Sequence, residues 1–140
     1  MSTPIAVSPL LPLQRAIFDL LDAELSVPVV DFVTEDTPKP YVVLGEATET
    51  PDNDHGGYGS ETLHTLHIWT QAEGFTEALE IADELTRLLD HRRDALEVDG
   101  HRVVAIRHEM TRTLRDPRPE LRHVPVSYRI TTEQTTEVGA

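Results

Sequence analysis

The side chains whose number and spacing suggest chemistry here are histidines and carboxylates. The chain has seven histidines and 25 acidic residues among 140, and no cysteine. His64 and His67 invite a metal reading, but on a strand they are three apart and point to opposite faces. His64 lines up with Leu66 and Ile68, and His108 with Ile106 and Met110. If those two strands were neighbours, the rings would meet at the margin of the core. No His-Glu-x-x-His run supports a metal, and hydrogen-bonded histidines are the plainer reading. Asp52, Asp54 and Glu61 surround a glycine pair and hint at a calcium loop. A helix–loop–helix site needs oxygen ligands at fixed positions and a glutamate at the twelfth. Counted from Asp52, the fifth residue is Gly56 and the twelfth is Leu63, so a flexible connection between strands fits better. Glu80, Asp83 and Glu84 read as the solvated side of a helix. There is no Gly-x-Ser-x-Gly elbow, and no phosphate loop ending in Gly-Lys, since Lys39 is the sole lysine. No catalytic, cofactor or metal residue is assigned, and the chain is not expected to be an enzyme.

The elements that would position these groups follow from patterning. Ser8 is a good helix cap and Pro9 a good first residue, and Leu10, Leu13, Ile17, Leu20 and Leu21 form one stripe. That helix is expected over Pro9 to Leu25, ending before Pro28. Val29 to Val33 reads as an edge strand, and Thr37 to Pro40 as a turn. Tyr41 to Ala47 and Glu61 to Gln71 read as strands joined by a loop over 50–60. Leu66 and Ile68 share one face of the second strand, and Leu63, His67 and Trp69 the other. Both faces carry apolar groups, as in a central strand or one that meets another subunit.

Thr76 is placed to cap a second helix, whose stripe is Ala78, Ile81, Ala82, Leu85, Leu88 and Leu89. His91, Arg92 and Arg93 close it with positive charge at the negative end of the helix dipole. Asp99-Gly100 predicts a tight hairpin turn. A strand over Arg102 to Leu114 should put Val104, Ile106 and Met110 on one side. After a turn over Arg115 to Glu120, the last strand, Leu121 to Thr132, should turn Val124, Val126, Tyr128 and Ile130 inward. The sum is an α+β fold, a mostly antiparallel sheet with two helices on one face. A single domain over 1–140 is expected, with its core at about 9–132 and a polar, mobile tail at 133–140.

Twelve basic residues against the 25 acidic ones give a net charge of -13. Such a chain repels nucleic-acid phosphate unless a local patch reverses the sign. Residues 1–60 hold two basic side chains against ten acidic ones, whereas residues 102–129 hold seven arginines against Glu109, Asp116 and Glu120. That asymmetry suits copies meeting head-to-tail, although a solvated acidic surface that aids solubility is the plainer reading. Arg107 and Arg129 lie on polar strand faces, where pairing with Glu109 or with a neighbouring subunit is a better reading than DNA binding. No apolar run reaches membrane-spanning length and no basic leader precedes one, so a soluble cytosolic product is expected.

In order and spacing, these pieces resemble the tail terminator, or tail completion, family of phages with long non-contractile tails, which also occurs in prophages and gene transfer agents. The resemblance rests on the opening helix Leu10 to Leu25, Pro40-Tyr41-Val42-Val43-Leu44-Gly45-Glu46, Leu66-His67-Ile68-Trp69 and Glu77 to Asp83. It continues through Gly100 to Val104, Leu114 to Pro117 and Arg122-His123, and covers about residues 9–132. The resemblance implies a virion role without a reaction or cofactor. Members form a ring, typically a hexamer, at the head-proximal end of the tail tube, after assembly in the host cytoplasm. The ring ends tube polymerisation and meets a head completion protein, and DNA passes through its lumen. The implied partners are the chain itself, the tail tube protein and that connector, with no membrane. Candidate interface residues are Asp52, Asp54, Tyr58 and Glu61 in the connection, and Arg107, Arg112, Arg115 and Arg129 beyond. Two rival classes remain: a small acidic binding or inhibitor module that mimics DNA, and a His-dependent metal hydrolase.

Overall fold

Leu13, Ala16, Ile17 and Leu21 recur at helical spacing, and burying them draws helix α1 (Leu10–Glu24) onto a sheet. The computed structural model of the protein describes residues 4–53, 57–135 and 138–139. The Pro9 carbonyl accepts the first helical hydrogen bond, from Leu13 N–H at 2.8 Å. Ser8 is not the cap and Pro9 not the first helical residue: Pro9 occupies the cap position without a side-chain cap bond, and Ser8 Oγ, one residue earlier, accepts from Leu10 N–H at 3.2 Å. In α2 (Thr76–Leu89) the buried stripe is Ala78, Ile81, Ala82, Leu85 and Leu89. Thr76 does not cap it. Phe75 occupies the cap position and Thr76 is the first helical residue.

The main sheet runs β2-β3-β4-β7-β5, with β6 also paired to β7. Its strands are β2 (Val29–Val30), β3 (Tyr41–Pro51), β4 (Gly59–Gln71), β5 (His101–Thr111), β6 (Leu114–Arg115) and β7 (Leu121–Gln134). β2 lies parallel to β3 at the edge, and every other pair in this sheet is antiparallel. Both helices cover one face. There Val42, Leu66, Ile68, Val124, Val126, Tyr128 and Ile130 close the core with the helical stripes. Alternation along β4 and β7 is strict, with even-numbered residues from Thr62 to Thr70 and from Arg122 to Thr132 buried. Each fully buried Leu or Ile on these rows contributes roughly 1.5–3 kcal/mol.

Several boundaries differ from the sequence expectation, each for a physical reason. β3 and β4 extend to pair Pro51 with Ser60, so the connection is shorter than 50–60. Pro51 is tolerated near the end of a ladder, where a missing N–H costs little. Asp99-Gly100 does form a turn, with Gly100 at φ 77, but Leu96 to Val98 is not a strand, so there is no hairpin. β5 carries irregularities between Val103 and Ala105 and between His108 and Met110. The first shifts the phase, so Val103 and Ile106 are buried while Val104 is not, and Met110 is half exposed. β4 and β5 are not neighbours, because β7 lies between them, so the His64 and His108 rings do not meet. The tail is not wholly outside the fold: Glu133 and Gln134 end β7, and β8 (Val138–Gly139) pairs with β1 (Pro4–Ile5).

Candidate interaction surface

The sheet face opposite the helices is built from odd-numbered residues of β4 and β7. In the antiparallel register His67 and Trp69 of β4 face Pro125 and His123 of β7. Trp69 stacks on His123 with ring centroids 4.1 Å apart and planes 6° from parallel. His67 Nδ1 lies 2.7 Å from His123 Nε2, and His67 Nε2 lies 3.1 Å from Glu46 Oε2. The carboxyl of Glu46 is held below its ordinary range by its own backbone N–H and then by His67. It is therefore an anion that only accepts, which puts the proton on His67 Nε2. Between His67 Nδ1 and His123 Nε2 one ring donates and the other accepts. Burial and the neighbouring His67 push His123 below the ordinary imidazole value. Gly45 makes room for the relay: a Cβ there would sit 2.5 Å from His67 Cδ2.

Beyond the relay, Thr65 and Ser127 hydroxyls meet at 3.0 Å. Arg129 then bridges Glu61 of β4 and Glu109 of β5, donating to the two Glu109 oxygens at 3.0 and 2.9 Å. These pairs hold Arg129 well above its ordinary value, and Arg129 lowers the Glu109 carboxyl. Arg102 pairs with Glu133 lower on the same face. Half-exposed ion pairs of this kind add little stability, so their use lies in charge placement.

The helix-side face is different. His64 is buried, and burial pushes it down to about 4 while Nε2 contacts Thr62 Oγ1 at 3.0 Å. His64 and His67 thus do point to opposite faces. Glu84 is not merely solvated. It accepts from Ser26 N–H at 2.7 Å and Ser26 Oγ at 2.6 Å, tying the end of α1 to α2. At the upper end of the sheet, Arg115 and Arg122 sit directly across from each other, with their guanidinium groups 5.6 and 5.4 Å from the Phe75 ring. Arg122 is only 6% exposed. It donates to the carbonyls of Pro119, Leu121 and Glu73, which lock the turn before α2 against β7.

The candidate interface residues do not form one patch. Glu61 and Arg129 are brought together by the sheet, and Arg107 lies across from Arg129 in register. Arg112 and Arg115 lie near the upper end, with Arg112 N–H on the Pro125 carbonyl at 3.1 Å. Asp52 is at the lower end, where its N–H meets the Gly59 carbonyl at 2.9 Å, and the Tyr58 carbonyl accepts from Gln134 N–H at 2.9 Å. Asp54 lies outside the described residues. The sequence reading missed the Glu46–His67–His123–Trp69 chain. An alternation count on the last strand would have placed His123 on the outer face, but its partner needs the register.

Among the described residues no three His, Asp or Glu side chains converge as metal ligands. What the face offers is a rigid, half-polar plate suited to contact.

Comparison with known proteins gives a consistent answer. The family model described as tail completion protein gp17 matches residues 15–133. No curated protein sequence matches the chain. Among solved structures, a chain from a structure titled "Virion of native gene transfer agent (GTA) particle" superposes with a TM-score of 0.79 at 21% identity, covering 91% of this chain and 99% of that one. At that identity the likeness is one of fold.

Proposed function

Since the chain belongs to the tail completion protein gp17 family and is a structural component of the virion tail, we propose that it is the tail terminator. In this reading one domain per copy assembles with others into a ring, a hexamer, on the head-proximal end of the tube. The ring stops tube growth and presents a surface to the head completion protein. DNA passes through the lumen without sequence-specific contacts, which suits a chain of net charge -13, because like charges slide past rather than stick.

The observation that carries the reading is the helix-free face of the sheet. Trp69, His67 and His123 are half buried there, on the side away from both helices, with Val33, Thr34, Glu35, Lys39 and Arg118 bordering Trp69 at one end, and open ion pairs continue the same face. A plate with an aromatic patch and a charged remainder has the composition of a protein interface, with its depleted centre and polar rim. Asp52, Tyr58, Glu61, Arg107, Arg112, Arg115 and Arg129 are assigned to contacts with neighbouring copies or the tube, as is Asp54. The test is electron microscopy of the chain mixed with tail tubes made without it. End-on averages should show a closed ring at one end of each tube. Bare tube ends beside a monomeric protein would sink the proposal.

A further inference from the structure

Two features lie on opposite edges of the sheet, away from the Trp69–His123 patch. The first is at the β5 edge. After α2 the chain turns at His91, whose φ of 59 is uncommon for a residue with a side chain. That turn seals the strand edge: His91 N–H donates to the Ile106 carbonyl at 3.0 Å, and His108 N–H to Asp90 Oδ1 at 2.8 Å. A free strand cannot add there. Instead a groove of about 370 Å3 opens, with Arg92, Arg93 and Arg107 around it, Val104 and Ala95 as apolar lining, and Asp94 as its one carboxylate. Among the described residues none of the three arginines has a carboxylate partner, whereas Arg87, Arg102, Arg118 and Arg129 all do.

The second feature follows β2, at the far edge. Phe32 is 76% exposed, the most exposed of the large hydrophobic side chains. Asp31, Glu35 and Asp36 stand around it in sequence, all exposed and without ion pairs among the described residues. The turn is ordered by its own bonds: Thr37 N–H reaches the Thr34 carbonyl at 3.1 Å, and Thr34 N–H reaches Thr37 Oγ1 at 3.0 Å. Behind it, residues 10–51 carry eight acidic side chains against Arg15 and Lys39.

We propose that the groove beside β5 receives the Phe32 turn of a second copy of this chain, and that this is the contact between adjacent subunits of the ring. The inference rests on the terminator reading and names the surfaces that reading leaves open. An aromatic side chain enclosed by arginines, with carboxylates at the rim, is a pairing that concentrates binding energy. The sheet order sets the two halves at opposite edges, so each copy gives its knob to one neighbour and its groove to the other. Such a head-to-tail contact makes a ring when the rotation closes. DNA phosphate is the weaker occupant. It has no use for the Val104 and Ala95 lining, it meets Asp94, and the whole chain repels it.

The test measures the protein concentration that half-caps tail tubes. Phe32→Ser, and separately Arg92→Glu with Arg93→Glu, should each raise it about 30-fold, the size of a hot-spot loss. All are exposed positions, so the variants should melt as the native chain does. Adding Asp31→Arg and Glu35→Arg to the double Arg variant should bring capping back. Because the chain has no cysteine, Glu35→Cys with Asp94→Cys gives a clean second readout, a disulfide ladder between copies on capped tubes. Variants that cap at the native concentration, or the cysteine chain capping without a ladder, would overturn the inference and leave the terminator reading standing. Capping lost in the Arg variant and not restored, together with a DNA duplex bound by the native chain alone, would assign the groove to phosphate and also overturn it. A native chain that leaves tubes bare would refute the terminator reading itself.

Discussion

Gly45→Ala should disturb both stability and the outer-face relay. The added Cβ would lie 2.5 Å from His67 Cδ2, 2.6 Å from His67 Nε2 and 2.7 Å from the Thr65 carbonyl oxygen. Carbon contacts are comfortable at about 3.5–4.0 Å, so the overlap with the ring is near 1 Å. The ring cannot simply swing aside. It is held by Glu46 at 3.1 Å and His123 at 2.7 Å, and His123 is stacked on Trp69. The Thr65 oxygen is backbone within β4 and cannot move without its ladder. Overpacking of this kind costs about 1–3 kcal/mol. For a chain of this length that corresponds to a Tm lower by roughly 3–12 °C. Calorimetry gives the loss, and imidazole resonances of His67 and His123 report the relay. Adding His67→Ala should recover part of the loss but not all, because the Thr65 oxygen remains. A Gly45→Ala chain that melts within a degree of the native one, with both imidazoles unshifted, would refute the steric reasoning.

Three further outcomes follow from the same structure. His64, pushed down to about 4 from 6.5 by burial, binds fewer protons folded than unfolded, so its contribution to stability is complete above pH 6.5 and is lost as pH falls towards 4. The loss amounts to roughly 3 kcal/mol; denaturant titrations across that window should show it in the native chain and not in His64→Gln, while an identical slope in both would contradict it. Arg129→Gln should let the Glu109 carboxyl rise back towards its ordinary value, read by carbon-detected NMR titration, and an unmoved Glu109 would mean the pair is not formed in solution. Tyr128→Phe removes a 2.9 Å contact with Thr86 Oγ1 and should cost about 1 kcal/mol; the ultraviolet phenolate titration should also lose a step near 12, where burial has pushed this phenol.

What the sequence made legible was set by unbroken periodicity. The α2 stripe was readable because Ala78, Ile81, Ala82, Leu85 and Leu89 all bury, with Leu88 packed at the margin. The last strand was readable because Val124, Val126, Tyr128 and Ile130 alternate without a slip. β5 was not, because the irregularity at Val104 changes the phase and no glycine or proline marks it. Cross-strand partners were also hidden. Whether His64 faces His108 or Tyr128 depends on which strands are neighbours, and the order β4-β7-β5 is a non-local choice. Arg92 and Arg93 read only as charges closing a helix, since nothing local says that Arg107 will stand opposite them. The Arg129 pairing with Glu109, in contrast, was legible from two polar strand faces of opposite charge.

The central claim is that this chain ends the growth of a tail tube. Its most direct measure is the length distribution of tubes polymerised from purified tube protein with and without the chain. The account predicts that adding it in small excess over tube ends halts elongation and narrows the lengths, with the chain recovered at one end in ring stoichiometry. Tubes that keep growing at an unchanged rate, with the chain left free in solution, would contradict it.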